Sequence, residues 1–191
     1  MNVLLQSRLS HTFCTALSIF DESTGDHCLR VAILAEQIAA QLGLDSERCL
    51  TARHAGMLHD IGKVAIDPEV LHTDGPLDEQ QWAEVRCHPA IGGDMLLAIS
   101  GDLRPVAAAV REHHERVDGG GYPDGLEGDQ ISLVGRIVAA ADVYDALTSE
   151  RSYREQVFTH AEACEHLAAA AGTHLDTFVV AAAQSVLAVA C

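Results

Sequence analysis

Apolar residues recur in this sequence at the spacing of an α-helix, and this pattern constrains the fold most. Between residues 27 and 42 they fall at i, i+3, i+4, i+7, i+8 and i+11: Val31, Leu34, Ala35, Ile38, Ala39 and Leu42. Gly43 then ends the pattern. No segment shows convincing alternation of apolar and polar residues, which a half-buried strand requires. The sequence therefore predicts an all-α protein, built as a helical bundle.

The same reasoning predicts further helices along the chain. We expect them over residues 3–21, 27–42, 46–60, 78 to near 89, 91–99, 105–113, 132–148, from 159 onwards, and 176–189. Ser46 or Asp45 is expected to cap the third of these, and Thr159 forms a capping box with Glu162. The Gly-rich segment 116–130 is expected to be a loop.

The 191 residues are enough for one domain with a sizeable core and hardly enough for two. We find no internal repeat, low-complexity segment or linker. The sequence therefore predicts a single domain over residues 1–191. Within it we expect an N-terminal helix over 1–20, a motif-bearing core over 21–176 and a C-terminal helix over 177–191.

The charge balance excludes some partners. The formal net charge is −16, which argues against binding to a nucleic-acid polymer or to an anionic membrane surface. No run of 18 apolar residues lacks polar breaks, and the first ten residues show no signal-peptide pattern. The six Cys residues form no CxxC pair, so reduced thiols in a cytoplasmic protein are expected.

The chain contains 11 His residues, and several lie where a helix faces the core. His27 stands four residues before Val31, and Asp142 stands four residues after Val138. A single buried His is more often a hydrogen-bonded core residue than a ligand, but a whole set is harder to explain in that way. Neutral imidazole together with carboxylate suits Zn, Fe, Mn, Ni or Co. The candidate ligands are His27, His59, Asp60, His88, His113, His114 and Asp142.

Five motifs in this order resemble the HD-GYP family: TGDHCLRV (24–31), HDIGK (59–63), HP (88–89), HHERVDGGGYPDGL (113–126) and ADVYDALTSERSYR (141–154). That family belongs to the HD-domain superfamily of metal-dependent phosphohydrolases. The resemblance implies an all-helical, HD-domain-like fold with the metal site at the centre of the bundle. It also implies a cyclic di-GMP phosphodiesterase that acts in bacterial second-messenger signalling.

The resemblance further implies how the ligands divide between the metals. Asp60 would bridge two divalent ions and support a bridging hydroxide, because imidazole cannot span both ions. One ion would be held by His27, His59 and Asp142, and the other by His88, His113 and His114. Fe or Mn is favoured for these positions, with Zn, Ni or Co as alternatives.

Lys63 is the one Lys among 12 basic residues, and it stands four residues after His59. If the helix continues, its side chain points towards the metals and contacts phosphate as a compact charge. The alternative is a solvated surface Lys.

Other motif residues are assigned to substrate and partner contacts. Arg and Tyr side chains that can grip phosphate or stack on guanine occur after the histidines: Arg136, Arg151, Tyr153 and Arg154. The loop that contains Gly121, Tyr122 and Pro123 is expected to shape the site entrance and to offer a docking surface for signalling proteins.

One departure from the family pattern bears on metal count. Family members with a third metal carry Glu four residues before the His that corresponds to His27 in the TGDH motif, where this chain has Ser23. We therefore expect two metals, and the linear dinucleotide pGpG as chief product. The alternatives are hydrolysis of cyclic GMP-AMP or another nucleotide, and a non-catalytic receptor or interaction module. A homodimer remains open.

Overall fold

A computed structural model of the protein describes residues 12, 22–71, 73, 75–149 and 157–189. The predicted helix over 3–21 lies almost wholly outside these residues. The described helices are α1 (Glu22–Gln41), α2 (Ser46–Leu58), α3 (Pro68–Leu71), α4 (Glu79–Val85), α5 (His88–Ile99), α6 (Arg104–Glu112), α7 (Leu133–Thr148), α8 (His160–Ala170) and α9 (Thr177–Val189). The described residues contain no β-strand, so the all-α class is confirmed.

The helix starts follow the capping signals of the sequence. Asp45, rather than Ser46, is the N-cap of α2, and its side chain accepts from the Arg48 backbone N–H. Ser132 caps α7, and Thr159 forms the expected capping box with Glu162. Side-chain acceptors at these positions satisfy N–H groups that have no partner inside the helix.

The bundle is organised around α1. Helices α2, α7 and α9 pack against it, and α2 also contacts α6 and α7. The predicted stripe forms its buried face, since Val31, Ala35 and Ile38 have no exposed surface. Gly56 lets α2 approach closely, because a Cβ there would stand 2.8 Å from the Ala32 Cα. The core consists mainly of Ala, Val, Leu and Ile, as the low aromatic content requires.

Three sequence predictions need correction here. The helix expected from residue 78 to near 89 ends at Val85, and the next helix begins at His88 rather than at residue 91. Helix α2 ends at Leu58, two residues before its predicted end, and a 3₁₀ turn over Ile61–Ala65 follows. Helix α1 begins at Glu22 rather than at residue 27.

The four described cysteines form no disulfide: Cys28, Cys49, Cys87 and Cys164. Among the described residues, no helix is both long enough and apolar enough to cross a membrane.

Candidate metal centre

The first group of ligands comes from three helices that converge in the bundle. His27 lies in α1, His59 directly follows α2, and Asp142 lies in α7. The Asp142 Oδ1 stands 3.1 Å from His27 Nε2 and 3.8 Å from His59 Nε2. One ligand atom from each residue falls within 4.8 Å of the others, so the three could hold one ion.

The second group lies where α5 begins and α6 ends. His88 is the first residue of α5, and His113 and His114 directly follow α6. Their ligand atoms also lie within 4.8 Å of one another. Gly62 helps to bring the two groups together, because a Cβ there would collide with the carbonyl oxygen of His88. The 3₁₀ turn after Asp60 can therefore pack directly on the start of α5.

Asp60 lies between the two groups and is 2% exposed. Its Oδ2 is 3.4 Å from His59 Nε2, in the first group. Its Oδ1 is 3.3 Å from His88 Nε2, in the second group. Each group therefore receives one oxygen of the same carboxylate.

The rings are oriented through their Nδ1 atoms. His59, His88 and His113 each place Nδ1 within 2.6–2.8 Å of the backbone carbonyl three residues earlier. His27 Nδ1 lies 2.7 Å from Asp145 Oδ2. An Nδ1–H that donates to such an acceptor leaves the lone pair on Nε2, which is the usual arrangement of metal-bound histidines.

The Nε2 atoms show that this donor set fits a cation. His59 Nε2 is buried and has no hydrogen-bond partner. His88 Nε2 and His113 Nε2 face each other at 3.3 Å. The Nδ1 atom of each ring carries the proton and donates to a backbone carbonyl, so each Nε2 has a lone pair and neither can donate to the other. Two nitrogens bound at about 2.1 Å to one ion would be separated by a similar distance. The residues present therefore fit a divalent metal.

Burial and charge set the protonation of the group. Burial lowers the pKa of His59 and His113, and it lowers the pKa of His114 to about 4. Burial also opposes charge on His27, but hydrogen bonds with Asp142 and Asp145 outweigh it and raise its pKa to about 9. Metal binding therefore has to displace a proton from His27, whereas His59, His113 and His114 are already neutral.

Lys63 reaches the site by a different route from the predicted one. The helix does not continue past Leu58, so Lys63 contacts Asp60 across the 3₁₀ turn, with Nζ donating to Asp60 Oδ2 at 2.6 Å. Burial alone would raise the pKa of the Asp60 carboxyl, but the charge of Lys63 outweighs it and holds this pKa well below its usual range. Asp60 therefore stays ionised inside the core.

The loop after α6 covers one side of the second group. The Tyr122 ring stacks on His114 with centroids 4.9 Å apart. The Glu115 carboxylate is 2% exposed and accepts N–H groups from three residues of the loop, Asp124, Gly125 and Leu126. A side chain at Gly121 would collide with the Glu115 backbone. The loop, which includes Pro123, is thus folded back onto the end of α6.

The candidate substrate contacts have mixed outcomes. Arg136 is one-sixth exposed, and its Nη1 donates to Asp176 at 2.7 Å and to Asp129 at 3.1 Å. Its guanidinium therefore ties α7 to the start of α9. Arg151, Tyr153 and Arg154 lie outside the described residues, so their predicted role stays a prediction.

Sequence reasoning missed several residues around the centre. Asp145 and Arg30 form an ion pair of 2.6 Å beside His27, and they stand three residues after Asp142 and His27 respectively. That i, i+3 spacing was a usable signal, because such residues share a helix face. Cys28 is fully buried, with its sulfur near His59 and Asp60. Arg86 lies over the Tyr122 ring, and nothing in the sequence singled it out.

The fold and this donor set define an all-helical protein with a buried His/Asp centre of the kind that binds divalent metals. The HD domain family matches residues 4–179. The chain therefore belongs to the HD-domain family of metal-dependent phosphohydrolases, and the resemblance to HD-GYP proteins is confirmed.

Curated relatives and solved structures agree with this assignment. The chain is 39% identical over 173 residues to a 3′3′-cGAMP-specific phosphodiesterase 2 of Vibrio cholerae, which covers 90% of this chain and 33% of the relative. It is 44% identical over 143 residues to the cyclic di-GMP phosphodiesterase PA4108 of Pseudomonas aeruginosa, covering 73% and 34%. A solved cyclic GMP-AMP phosphodiesterase of V. cholerae matches with a TM-score of 0.63 at 28% identity, covering 98% and 42%. The chain thus spans about a third of the length of these curated relatives.

Proposed function

We propose that this chain is a metal-dependent phosphodiesterase that hydrolyses cyclic di-GMP, chiefly to pGpG. The observation that carries the proposal is the position of Asp60, whose two oxygens face different groups of ligands. Two ions that share a carboxylate can clamp one phosphodiester. The relatives support the substrate class, because they are named as phosphodiesterases of cyclic di-GMP or 3′3′-cGAMP.

Seven side chains would hold two divalent ions in this proposal. His27, His59 and Asp142 serve one position, and three further histidines serve the other, with Asp60 shared: His88, His113 and His114. Fe or Mn is proposed for these nitrogen and oxygen donors, with Zn, Ni or Co as alternatives. When bound, such ions polarise the phosphate oxygens and lower the pKa of a coordinated water.

The chain's own residues prepare the site for this chemistry. Burial keeps His113 and His114 neutral, and the carbonyl of Val110 fixes the ring of His113. Lys63 holds Asp60 ionised through its 2.6 Å contact, and about a quarter of the Lys63 side chain remains exposed. Its ammonium group can therefore face a substrate phosphate while it still contacts Asp60.

The proposed product follows from the number of ions. Position 23, where a third-metal Glu is expected from the resemblance, is Ser in this chain. Two ions clamp one phosphodiester at a time, so ring opening of cyclic di-GMP gives pGpG. The second cleavage requires pGpG to bind again with its new terminal phosphate near the ions. We therefore expect pGpG to accumulate.

A second candidate substrate is 3′3′-cGAMP. The 39% identity to a 3′3′-cGAMP-specific enzyme extends over 90% of this chain and favours it. Four expectations from the sequence stay predictions. They are the cytoplasmic location, the homodimer, the extent of the single domain, and the docking of signalling proteins at the Gly121–Tyr122–Pro123 loop.

The test combines elemental analysis with hydrolysis assays. Purified protein, loaded in turn with Fe²⁺, Mn²⁺ or Zn²⁺, is given cyclic di-GMP or 3′3′-cGAMP, and the products are separated by chromatography. We expect two ions per chain and pGpG as the main product of cyclic di-GMP. Metal-loaded protein that cleaves neither compound would falsify the proposed activity. GMP without a build-up of pGpG, or three fully occupied ions, would contradict the two-ion account.

A further inference from the structure

A stack of side chains leads outward from the second group of ligands. The centroid of the Tyr122 ring lies 4.9 Å from that of the His114 ring. The Arg86 Cζ lies over the Tyr122 ring, 5.6 Å from its centroid. The same Arg86 Cζ lies 5.7 Å from the Trp82 centroid. The two contacts through Tyr122 place the Arg86 Cζ no more than 10.5 Å from the centroid of the His114 ring, a candidate metal ligand.

Arg86 is exposed and keeps its hydrogen-bond donors available. A cation–π contact uses the charge of the guanidinium but consumes none of its N–H groups. Within the described part of the chain, no carboxylate forms an ion pair with Arg86. By contrast, five other arginines hold carboxylates at 2.6–3.1 Å: Arg30, Arg53, Arg111, Arg116 and Arg136. Arg48 and Arg104 also form no ion pair in this part of the chain, so Arg86 is distinguished by its place beside two aromatic rings near the second group of ligands.

Trp82 offers a surface that matches a nucleobase. It is the one Trp of the chain and is 47% exposed, although an indole of this size is normally well buried. It lies in α4, whose Val85 carbonyl accepts from the ring of His88. An exposed aromatic face beside a cation is the arrangement on which bases of single-stranded nucleotides stack.

The substrate class explains what this pair would bind. A cyclic dinucleotide carries two phosphodiester charges, and the ions neutralise the one that is cleaved. The second phosphate then needs another cation, because Lys63 lies against Asp60 and faces the phosphate that is cleaved at the ions. We propose that Arg86 binds the phosphate that is not cleaved and that Trp82 stacks on a base beside it. This inference rests on the proposed function and adds a substrate-binding subsite to it.

The geometry favours this role for Arg86 over simple packing of the loop. Two ring faces hold the guanidinium before any ligand arrives, so little side-chain freedom is lost on binding. Arg can also donate two parallel hydrogen bonds to a phosphate. If Arg86 merely supported Tyr122, its removal would disturb His114 and affect every substrate of the metal centre equally.

The experiment compares two substrates that differ in the second phosphate. Cyclic di-GMP has two phosphodiesters, whereas bis(p-nitrophenyl) phosphate has one and carries no base. The metal-loaded wild type, Arg86→Gln and Trp82→Ala are assayed for kcat and KM on both substrates. Arg48→Gln is the matched control, because it removes an exposed arginine at the opposite end of α2 from His59.

We expect Arg86→Gln to lower kcat/KM for cyclic di-GMP by about ten- to hundredfold more than for bis(p-nitrophenyl) phosphate, mainly through KM. Trp82→Ala should give a smaller loss of the same kind, and metal content should not change.

Equal losses on both substrates, or none, would overturn the subsite while leaving the proposed function intact. The same variants are also assayed on 3′3′-cGAMP, which has the same two phosphodiesters. A much larger loss with cyclic di-GMP than with 3′3′-cGAMP would overturn the assignment of Arg86 to phosphate. Wild type that cleaves only bis(p-nitrophenyl) phosphate would overturn the proposed function and the subsite together.

Discussion

At the scale of the residue, Asp60 is the side chain on which both halves of the proposed centre depend. Asp60→Asn keeps the size of the side chain but turns one oxygen into an N–H₂ donor, which repels a cation. We expect the loss of at least one ion per chain, measured by elemental analysis, and a fall in hydrolysis of more than about a hundredfold. Asp94→Asn, an exposed carboxylate on α5, should keep both. Full metal content and activity in Asp60→Asn would contradict a bridging role.

Lys63 makes a separate prediction, because its task is charge rather than coordination. In Lys63→Ala the 2.6 Å contact with Asp60 is lost, together with the ammonium group that we propose faces phosphate. We expect kcat/KM for cyclic di-GMP to fall by about ten- to hundredfold, or about 1.4 kcal/mol per factor of ten. Elemental analysis should show both ions still bound. Unchanged kinetics at saturating metal would return Lys63 to the role of a surface residue.

The sequence predicted the residues of the centre better than their supports. The seven candidate ligands lie close together in the structure. Each could be picked out from the sequence because it belongs to a short motif. Asp145, by contrast, joins His27 across 118 positions of the chain, and Arg86 meets Tyr122 through tertiary packing. The i, i+3 spacing of Asp142 and Asp145 shows that the two share a helix face, but no local pattern pairs Asp145 with His27 or Arg86 with Tyr122. Periodicity shows which face of a helix is buried but not which side chain of another helix meets it.

At the scale of the element, helix ends were the weak point of the sequence analysis. Caps were predictable at Asp45, Ser132 and Thr159, because a side-chain oxygen at an N-cap has a local cause. The end of α2 at Leu58 was not predictable in this way. It depends on packing of the following 3₁₀ turn against α5, where Gly62 meets the His88 carbonyl. That contact joins residues 26 positions apart and places Lys63 beside Asp60.

The loop after α6 gives a prediction at the same scale. Glu115→Gln replaces an oxygen that accepts loop N–H groups with an N–H₂ donor facing them. Hydrogen bonds to a buried charge contribute about 1.5–3 kcal/mol each, so we expect a loss of stability of about 2–4 kcal/mol. Urea denaturation of metal-loaded protein measures it. Glu165→Gln, exposed on α8, should change stability by less than about 0.5 kcal/mol. Equal stability of the two variants would show that Glu115 does not hold the loop.

At the scale of the whole molecule, the ions and the fold should stabilise each other. The candidate ligands come from α1, α5 and α7 and from the residues that follow α2 and α6, so an ion at the centre links most of the bundle. When the free metal concentration is a hundred times the dissociation constant, binding raises the free energy of unfolding by about 2.7 kcal/mol. For a chain of this size we expect chelation to lower Tm by about 5–10 °C. Calorimetry with and without a chelator measures the shift, and an unchanged Tm would exclude a metal that links these helices.

The pH dependence of metal uptake follows from the pKa of His27. That pKa is raised to about 9 because the hydrogen bonds with Asp142 and Asp145 outweigh burial. Metal-free protein therefore carries a proton on His27 below pH 9, and this proton must leave when a metal binds. His114, with a pKa of about 4, is already neutral between pH 7 and 9 and releases nothing. Apparent metal affinity should accordingly rise by up to about tenfold per pH unit from pH 7 to 9 and then level off.

Titration calorimetry in buffers of different ionisation enthalpy counts the protons released at pH 7.5. Asp145→Asn is the matched variant, because it removes one carboxylate that stabilises charged His27 and leaves every candidate ligand in place. Its His27 should hold a proton less tightly, so fewer protons should leave on metal binding and the rise in affinity should shift to lower pH. Equal proton release by the wild type and Asp145→Asn would show that His27 is not the group that titrates. Release that ceases below pH 9 in the wild type would contradict the charged state assigned to it.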